Sequence, residues 1–153
     1  MRGLVLADTQ PGADDEPGRA RREALARSVE RDGMQALVDG MLPKLLAPEA
    51  RPEVKSLVEQ MIRANAPRGA AAALRGMALR EDSSDALACY PGPALIVVGE
   101  KDPITPPAKG QELANLLARS RLVVLPGTGH LSNLEAPRAF NLELEAFLDS
   151  LER

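Results

Sequence analysis

The sequence predicts an α/β fold: a short parallel sheet of about three strands flanked by helices, with a run of helices inserted after the first strand. Three observations predict it. Three short apolar runs, Leu4–Ala7, Ala94–Val98 and Leu122–Leu125, are each followed at once by Asp, Gly or Pro, as buried strands that run into loops are. The last two alternate with helical patterns, the order that a parallel sheet requires. Between the first and second runs lie only helical patterns, with no strand among them.

The elements follow in order. Leu4-Val5-Leu6-Ala7 ends in Asp8-Thr9-Gln10-Pro11-Gly12, a strand running into a loop, and residues 12–18 form a solvated acidic connection. A first helix over about 17–31 carries a weak stripe of Ala20, Ala24, Leu25 and Val29. A second places Met34, Leu37, Val38, Met41 and Leu42 on one face and ends near Pro43. A third does the same with Val54, Leu57, Val58, Met61 and Ile62, and a fourth with Ala70, Ala73, Leu74, Met77 and Ala78. The spacing between these stripes is unequal and no turn motif recurs, which excludes a repeat array. Methionine-bearing stripes are core in the ordinary case and are also suited to an adaptable apolar pocket. After Tyr90-Pro91-Gly92-Pro93 comes the strand Ala94–Val98, then a helix opened by Pro106-Pro107. The strand Leu122–Leu125 ends in Pro126-Gly127-Thr128-Gly129-His130. A final helix opens at Pro137, with Phe140, Leu144, Phe147, Leu148 and Leu151 as its stripe.

Composition bounds the function. The 153 residues suit one domain, and 19 basic against 22 acidic side chains give a net charge of -3. That is no footprint for nucleic acid or an anionic membrane. Only 2% of residues are aromatic (Tyr90, Phe140 and Phe147), too few for a base-stacking platform. A single cysteine, Cys89, excludes an internal disulfide framework, and one Cys with one His excludes a His/Cys zinc site. The longest apolar run falls far short of a membrane span of about 20 residues, and the amino terminus is too short for a signal-peptide core. The expectation is a cytoplasmic protein without metal or cofactor.

Two polar residues occupy matching places. Asp102 lies four residues past its strand and His130 five past the next. Functional groups in open parallel sheets gather at the carboxyl ends of strands, and adjacent strands would put both loops on one rim. A carboxylate bonded to an imidazole there fixes the tautomer and stabilises the imidazolium during proton transfer. The competing reading is that Asp102 caps the following helix and His130 is a loop residue satisfied by backbone.

Beyond pattern, Ala94-Leu95-Ile96-Val97-Val98-Gly99-Glu100-Lys101-Asp102-Pro103-Ile104-Thr105-Pro106 resembles the α/β-hydrolase segment that carries the triad acid. Gly127-Thr128-Gly129-His130-Leu131-Ser132-Asn133-Leu134-Glu135-Ala136-Pro137, followed by Phe140-Asn141 and Phe147-Leu148, resembles the segment with the triad histidine. Arg2–Thr9 is similar to the strand before the family's cap, and the nearest flavour is the enol-lactonase and esterase group. The resemblance implies that Asp102 is the triad acid and His130 the general base. It also implies that Glu135 and Pro137 shape the histidine loop and the start of the last helix. Residues 1–153 would form a partial α/β-hydrolase domain. Residues 13–83 would be a helical cap over the carboxyl ends of the strands, and 84–153 the strand-helix-strand-helix portion with the Asp and His.

One departure stands beside the match. The family's nucleophile sits in a Gly-x-Ser-x-Gly elbow, and none of Ser28, Ser56, Ser83, Ser84, Ser120, Ser132 and Ser150 is so flanked. The His-Gly oxyanion segment is also missing, and the chain opens at what corresponds to the family's sixth strand. Either Met1 is an internal methionine of a longer protein, or this is a half-protein that pairs with a partner or with itself through the exposed edge of its first strand. The leading expectation is the carboxyl-terminal part of a serine hydrolase of small esters or lactones, inactive alone. The alternatives are a non-catalytic fragment or pseudoenzyme acting as an interaction module, and a lyase or cofactor-free oxygenase using only an Asp–His base.

Overall fold

A computed structural model describes residues 2–151; Met1, on which one expectation turns, and the last two residues lie outside the described residues. The elements run β1 (Leu4–Ala7), α1 (Glu16–Asp32), α2 (Met34–Leu45), α3 (Pro52–Arg63), α4 (Pro67–Ala78), α5 (Ser84–Ala88), β2 (Ala94–Gly99), α6 (Pro107–Leu116), β3 (Ser120–Leu125), α7 (Ser132–Glu135) and α8 (Pro137–Ser150). They divide into two compact units. One comprises Met1–Pro11, Lys44–Ala50 and Ser83–Arg153; the other comprises Gly12–Pro43 and Arg51–Asp82.

The first unit is built on a parallel sheet of order β1-β2-β3. Leu4 pairs with Ala94 and Ala94 with Ser120, so all three carboxyl ends reach the same rim. Every residue of β2 is buried, because both faces are covered. On one face Ala94 and Ile96 pack with Leu113 and Leu117, beside Leu87 and Tyr90. On the other, Leu95 and Val97 pack with Leu125 and Phe147, beside Phe140 and Leu151. Full burial of one such aliphatic side chain stabilises by about 1.5–3 kcal/mol, so β2 is the anchor for the rim that follows it. The outer strands are less covered: Val5 is 38% and Val124 is 42% exposed.

In the helical unit, Asp15 caps α1 by accepting from the Gly18 N–H at 2.7 Å, and Gly33 ends it with φ 76. Ala26 and Val29 of α1 pack on Ala71 and Leu74 of α4, and Arg75 bridges Glu23 and Glu30 across that contact at 2.9 and 2.6 Å. Its guanidinium and that of Arg27 hold the Glu23 carboxyl down at about 2.

The expected faces of α1 and α4 need correction. Ala20, Ala24 and Ala73 are exposed, and Ala26 and Ala71 take the core places. Alanine is too small to mark a face, and the larger Val29 and Leu74, both buried in that contact, mark the faces the helices turn inward. Pro43 lies inside α2 rather than ending it. The helix runs two residues further, to Leu45, whose carbonyl accepts from the Leu131 N–H at 3.0 Å.

Candidate active site

β2 and β3 deliver their loops side by side at the rim. The Glu100 N–H donates to Leu125 O at 3.0 Å and the Lys101 N–H to Thr128 O at 2.8 Å, lacing the two loops together. The approach depends on glycine. A Cβ on Gly99 would lie 2.1 Å from Gly129 O, and one on Gly129 would lie 2.6 Å from Ala47 N. Gly127 turns the histidine loop with φ 68, a backbone that side chains rarely adopt.

Asp102 is held at this crossing with its side chain wholly buried. Its Oδ1 accepts from the Ile104 and Thr105 N–H groups at 2.7 and 3.0 Å. Its Oδ2 accepts from Thr105 Oγ1 at 2.6 Å and faces His130 Nδ1 at 2.8 Å. Burial pushes this carboxyl up, but the bonds from His130, from Thr105 and from the two N–H groups outweigh it and hold the group below its ordinary value. An ionised carboxylate only accepts, so His130 Nδ1 carries the proton. Thr105 Oγ1 has given its hydrogen to Asp102, so at 3.1 Å it accepts a share of that same Nδ1–H. The remaining ring nitrogen, Nε2, is then the basic one, on a side chain that is 22% exposed.

The competing reading, a cap on the following helix with His130 satisfied by backbone, does not hold. It caps the turn at Ile104–Thr105 through one oxygen and binds His130 through the other. It does not cap α6, which follows Pro106.

Glu135 fixes the histidine loop from the far side. Its oxygens accept from the Ala47 N–H at 3.0 Å and the Gly129 N–H at 2.7 Å. Pro137 opens α8 two residues later.

Two features were not anticipated. Thr105, in the middle of the acid loop, touches both members of the pair. Asp8, directly after β1, has φ 45 and accepts from the Gly99 N–H at 3.0 Å and from Ser132 N–H and Oγ at 3.1 and 2.6 Å. Burial raises the Asp8 carboxyl; the Ser132 and Gly99 bonds and the proximity of His130 only partly offset this. The signal available in the sequence was position: Asp8 stands at the carboxyl end of a strand, as Asp102 and His130 do. Ser132 is fully buried and its only hydroxyl proton goes to Asp8. Ser120 and Ser150 donate to main-chain carbonyls. Ser132 is thus engaged with Asp8, not with His130. Among the described residues, no three His, Cys, Asp or Glu side chains gather as metal ligands would, and no helix is long and apolar enough to cross a membrane.

Residues 1–143 match the model of the alpha/beta hydrolase family. 3-oxoadipate enol-lactonase 2 of Acinetobacter baylyi is 29% identical over 129 residues, which are 82% of this chain and 48% of that protein. A thermophilic esterase from Thermogutta terrifontis superposes with a TM-score of 0.94 at 34% identity, over 99% of this chain and 57% of its own. The enol-lactonase from Burkholderia xenovorans LB400 gives 0.81 at 28% identity, over 96% of this chain and 56% of its own. The chain spans about half the length of these relatives. With the parallel sheet, the rim and the family match in agreement, the chain belongs to the alpha/beta hydrolase family.

Proposed function

We propose that His130 is the general base and Asp102 the orienting acid of a serine hydrolase that cleaves a small ester or lactone. The nucleophile and the oxyanion donors would come from a part of the fold outside these 153 residues. The observation that carries the reading is the 2.8 Å contact between His130 Nδ1 and a buried, ionised Asp102. Esterases and enol-lactonases among the similar proteins support the substrate class.

In the proposed cycle, Nε2 of His130 takes the proton of an attacking serine as its oxygen bonds the substrate carbonyl. The imidazolium formed is stabilised through Nδ1–H by Asp102 and then protonates the departing alkoxide. A water activated by the same nitrogen releases the acyl group. The helical unit is proposed as a substrate cap, the compartment as the cytoplasm, and no cofactor is assigned. The unpaired side of β1 is the proposed contact for the completing part of the fold, or for a second copy of the chain.

The test joins the 153 residues to the amino-terminal part of the Thermogutta terrifontis esterase and measures hydrolysis of p-nitrophenyl esters. The joined protein is expected to turn over substrate and to take up a fluorophosphonate probe, and the 153 residues alone to do neither. His130→Ala in the joined protein should lower kcat by at least about 10³-fold. Turnover that survives His130→Ala, or stoichiometric labelling of the 153 residues alone, would overturn the proposal.

A further inference from the structure

We infer that Asp8 is a positioning residue for His130: a carboxylate from the third strand end that pins the loops of both the acid and the base. The inference rests on the reading of His130 as the base.

The geometry is specific. The Asp8 N–H donates to Val97 O at 2.8 Å, extending the β1–β2 ladder by one residue beyond Ala7. At that point the backbone enters the left-handed region with φ 45, which Asp and Asn tolerate better than most residues. One carboxylate oxygen then accepts from the N–H of Gly99, three residues before Asp102. The other accepts from the N–H and hydroxyl of Ser132, two residues after His130. Hydrogen bonds to an ionised acceptor are roughly twice as strong as neutral ones.

The Ser132 N–H needs this acceptor for a local reason. It opens α7, whose capping residue is Leu131, and a leucine side chain cannot accept a hydrogen bond. A residue 124 positions away supplies the missing oxygen. Thus His130 is held at Nδ1 by Asp102 and Thr105, and its loop is held by Asp8 on one side and by Glu135 on the other. A purely structural Asp8 would affect stability alone. A positioning Asp8 must also affect how firmly the Nδ1–H proton is held.

The sequence contains one histidine, so nuclear magnetic resonance of a nitrogen-15-labelled chain reads His130 without ambiguity. Asp8→Asn is the informative change. Asparagine tolerates the same backbone and keeps one acceptor oxygen, but it places an amide nitrogen where one acceptor stood. With Asp102 intact, the Nδ1–H proton is expected to exchange with water about tenfold faster in Asp8→Asn, the effect of losing one bond to a charged group. Ser132→Ala, which keeps the N–H bond to Asp8, should show a smaller rise. Phe147→Leu, a change in the sheet core, should lower stability and leave the exchange unchanged.

In the joined enzyme, Asp8→Asn should lower kcat about tenfold with KM unchanged. Unaltered exchange in folded Asp8→Asn overturns the inference. If Asp8→Asn does not fold, unaltered exchange in Ser132→Ala overturns it instead. Because the exchange measurement needs no turnover, faster exchange in a protein that no completion renders active upholds Asp8 and overturns only the hydrolase reading.

Discussion

Asp102→Asn probes the relay most directly, because four hydrogen bonds define what the substitution does. The wild-type carboxylate accepts at 2.7 and 3.0 Å from backbone through Oδ1, and at 2.6 and 2.8 Å from Thr105 and His130 through Oδ2. Asparagine can place its oxygen at only one of these positions. Turned towards His130, it would leave the Ile104 and Thr105 N–H groups facing an amide nitrogen, at a cost of about 1–3 kcal/mol for each buried unpaired donor. The oxygen therefore stays with the backbone and the NH₂ faces Thr105 and His130. Thr105 can rotate its hydroxyl to accept, and His130 can accept only by moving its proton to Nε2.

Replacing two charge-assisted bonds by neutral ones costs about 2 kcal/mol. For a chain of this length that lowers Tm by about 4–8 °C. The catalytic consequence is larger, since the lone pair then points at Thr105 and the amide instead of the substrate. In the joined enzyme kcat should drop by about 10⁴-fold, the scale of a wrong tautomer in a triad. Nitrogen-15 shifts of the single histidine check the tautomer, and thermal unfolding checks the stability. A variant that keeps its proton on Nδ1, or one that unfolds at the wild-type temperature, would refute the bond assignment.

Two further predictions follow from the same loops. Gly99→Ala puts a methyl group 2.1 Å from Gly129 O, so the two loops must part and stability should fall by about 3 kcal/mol in urea unfolding; a loss below about 0.5 kcal/mol would contradict the close approach. The two rim carboxyls should also give opposite pH signatures. Asp102 is held below its ordinary value of 3.8, so the folded state binds fewer protons there. Its contribution is present above about pH 4 and is lost as pH falls through the folded value. Asp8 is raised above 3.8, so the folded state binds more protons there and its contribution declines as pH rises through the folded value. Urea unfolding from pH 3 to 7 should therefore show the Asp102→Asn deficit growing with pH and the Asp8→Asn deficit shrinking; the same slope for both would contradict the assignments.

Much of this arrangement was legible because it is local. Ala94–Val98 announces a doubly covered strand through five consecutive apolar residues, and the structure buries all of them. Asp102 and His130 declare themselves by their distance past such strands. What escaped is long-range. β3 starts at Ser120, two residues before its apolar run, because Ser120 and Arg121 pair with Ala94 and Leu95; neither residue type signals a strand. The short helices α5 and α7 carry no stripe that a periodicity can show. Asp8 looked like the first residue of a loop, since its partners Gly99 and Ser132 are 91 and 124 positions away. Alanine-rich α1 and α4 carry no clear stripe, and their buried faces are set where Ala26 and Val29 meet Ala71 and Leu74 across more than 40 residues of sequence.

The rim holds two aspartates near one imidazole, and physics separates their tasks. Asp102 collects four hydrogen bonds, one of them from the ring itself, and these overcome its burial. Asp8 collects three, all from Gly99 and Ser132, and burial prevails over them. A carboxyl that is readily ionised and bonded to Nδ1 can stabilise an imidazolium at once, without waiting for reorganisation. A carboxyl whose ionisation is opposed by burial, and whose lone pairs are taken by loop donors, serves better as a tie than as a charge. Divergent environments around like residues are how one site assigns different roles. In the proposed hydrolase they suit Asp102 to the orienting role and Asp8 to bracing its partner's loop. All three groups belong to the unit of Met1–Pro11, Lys44–Ala50 and Ser83–Arg153. The bonds joining Asp102, Thr105, His130 and Asp8 are therefore internal to that unit, and in the proposed hydrolase the group that His130 deprotonates is supplied from outside it.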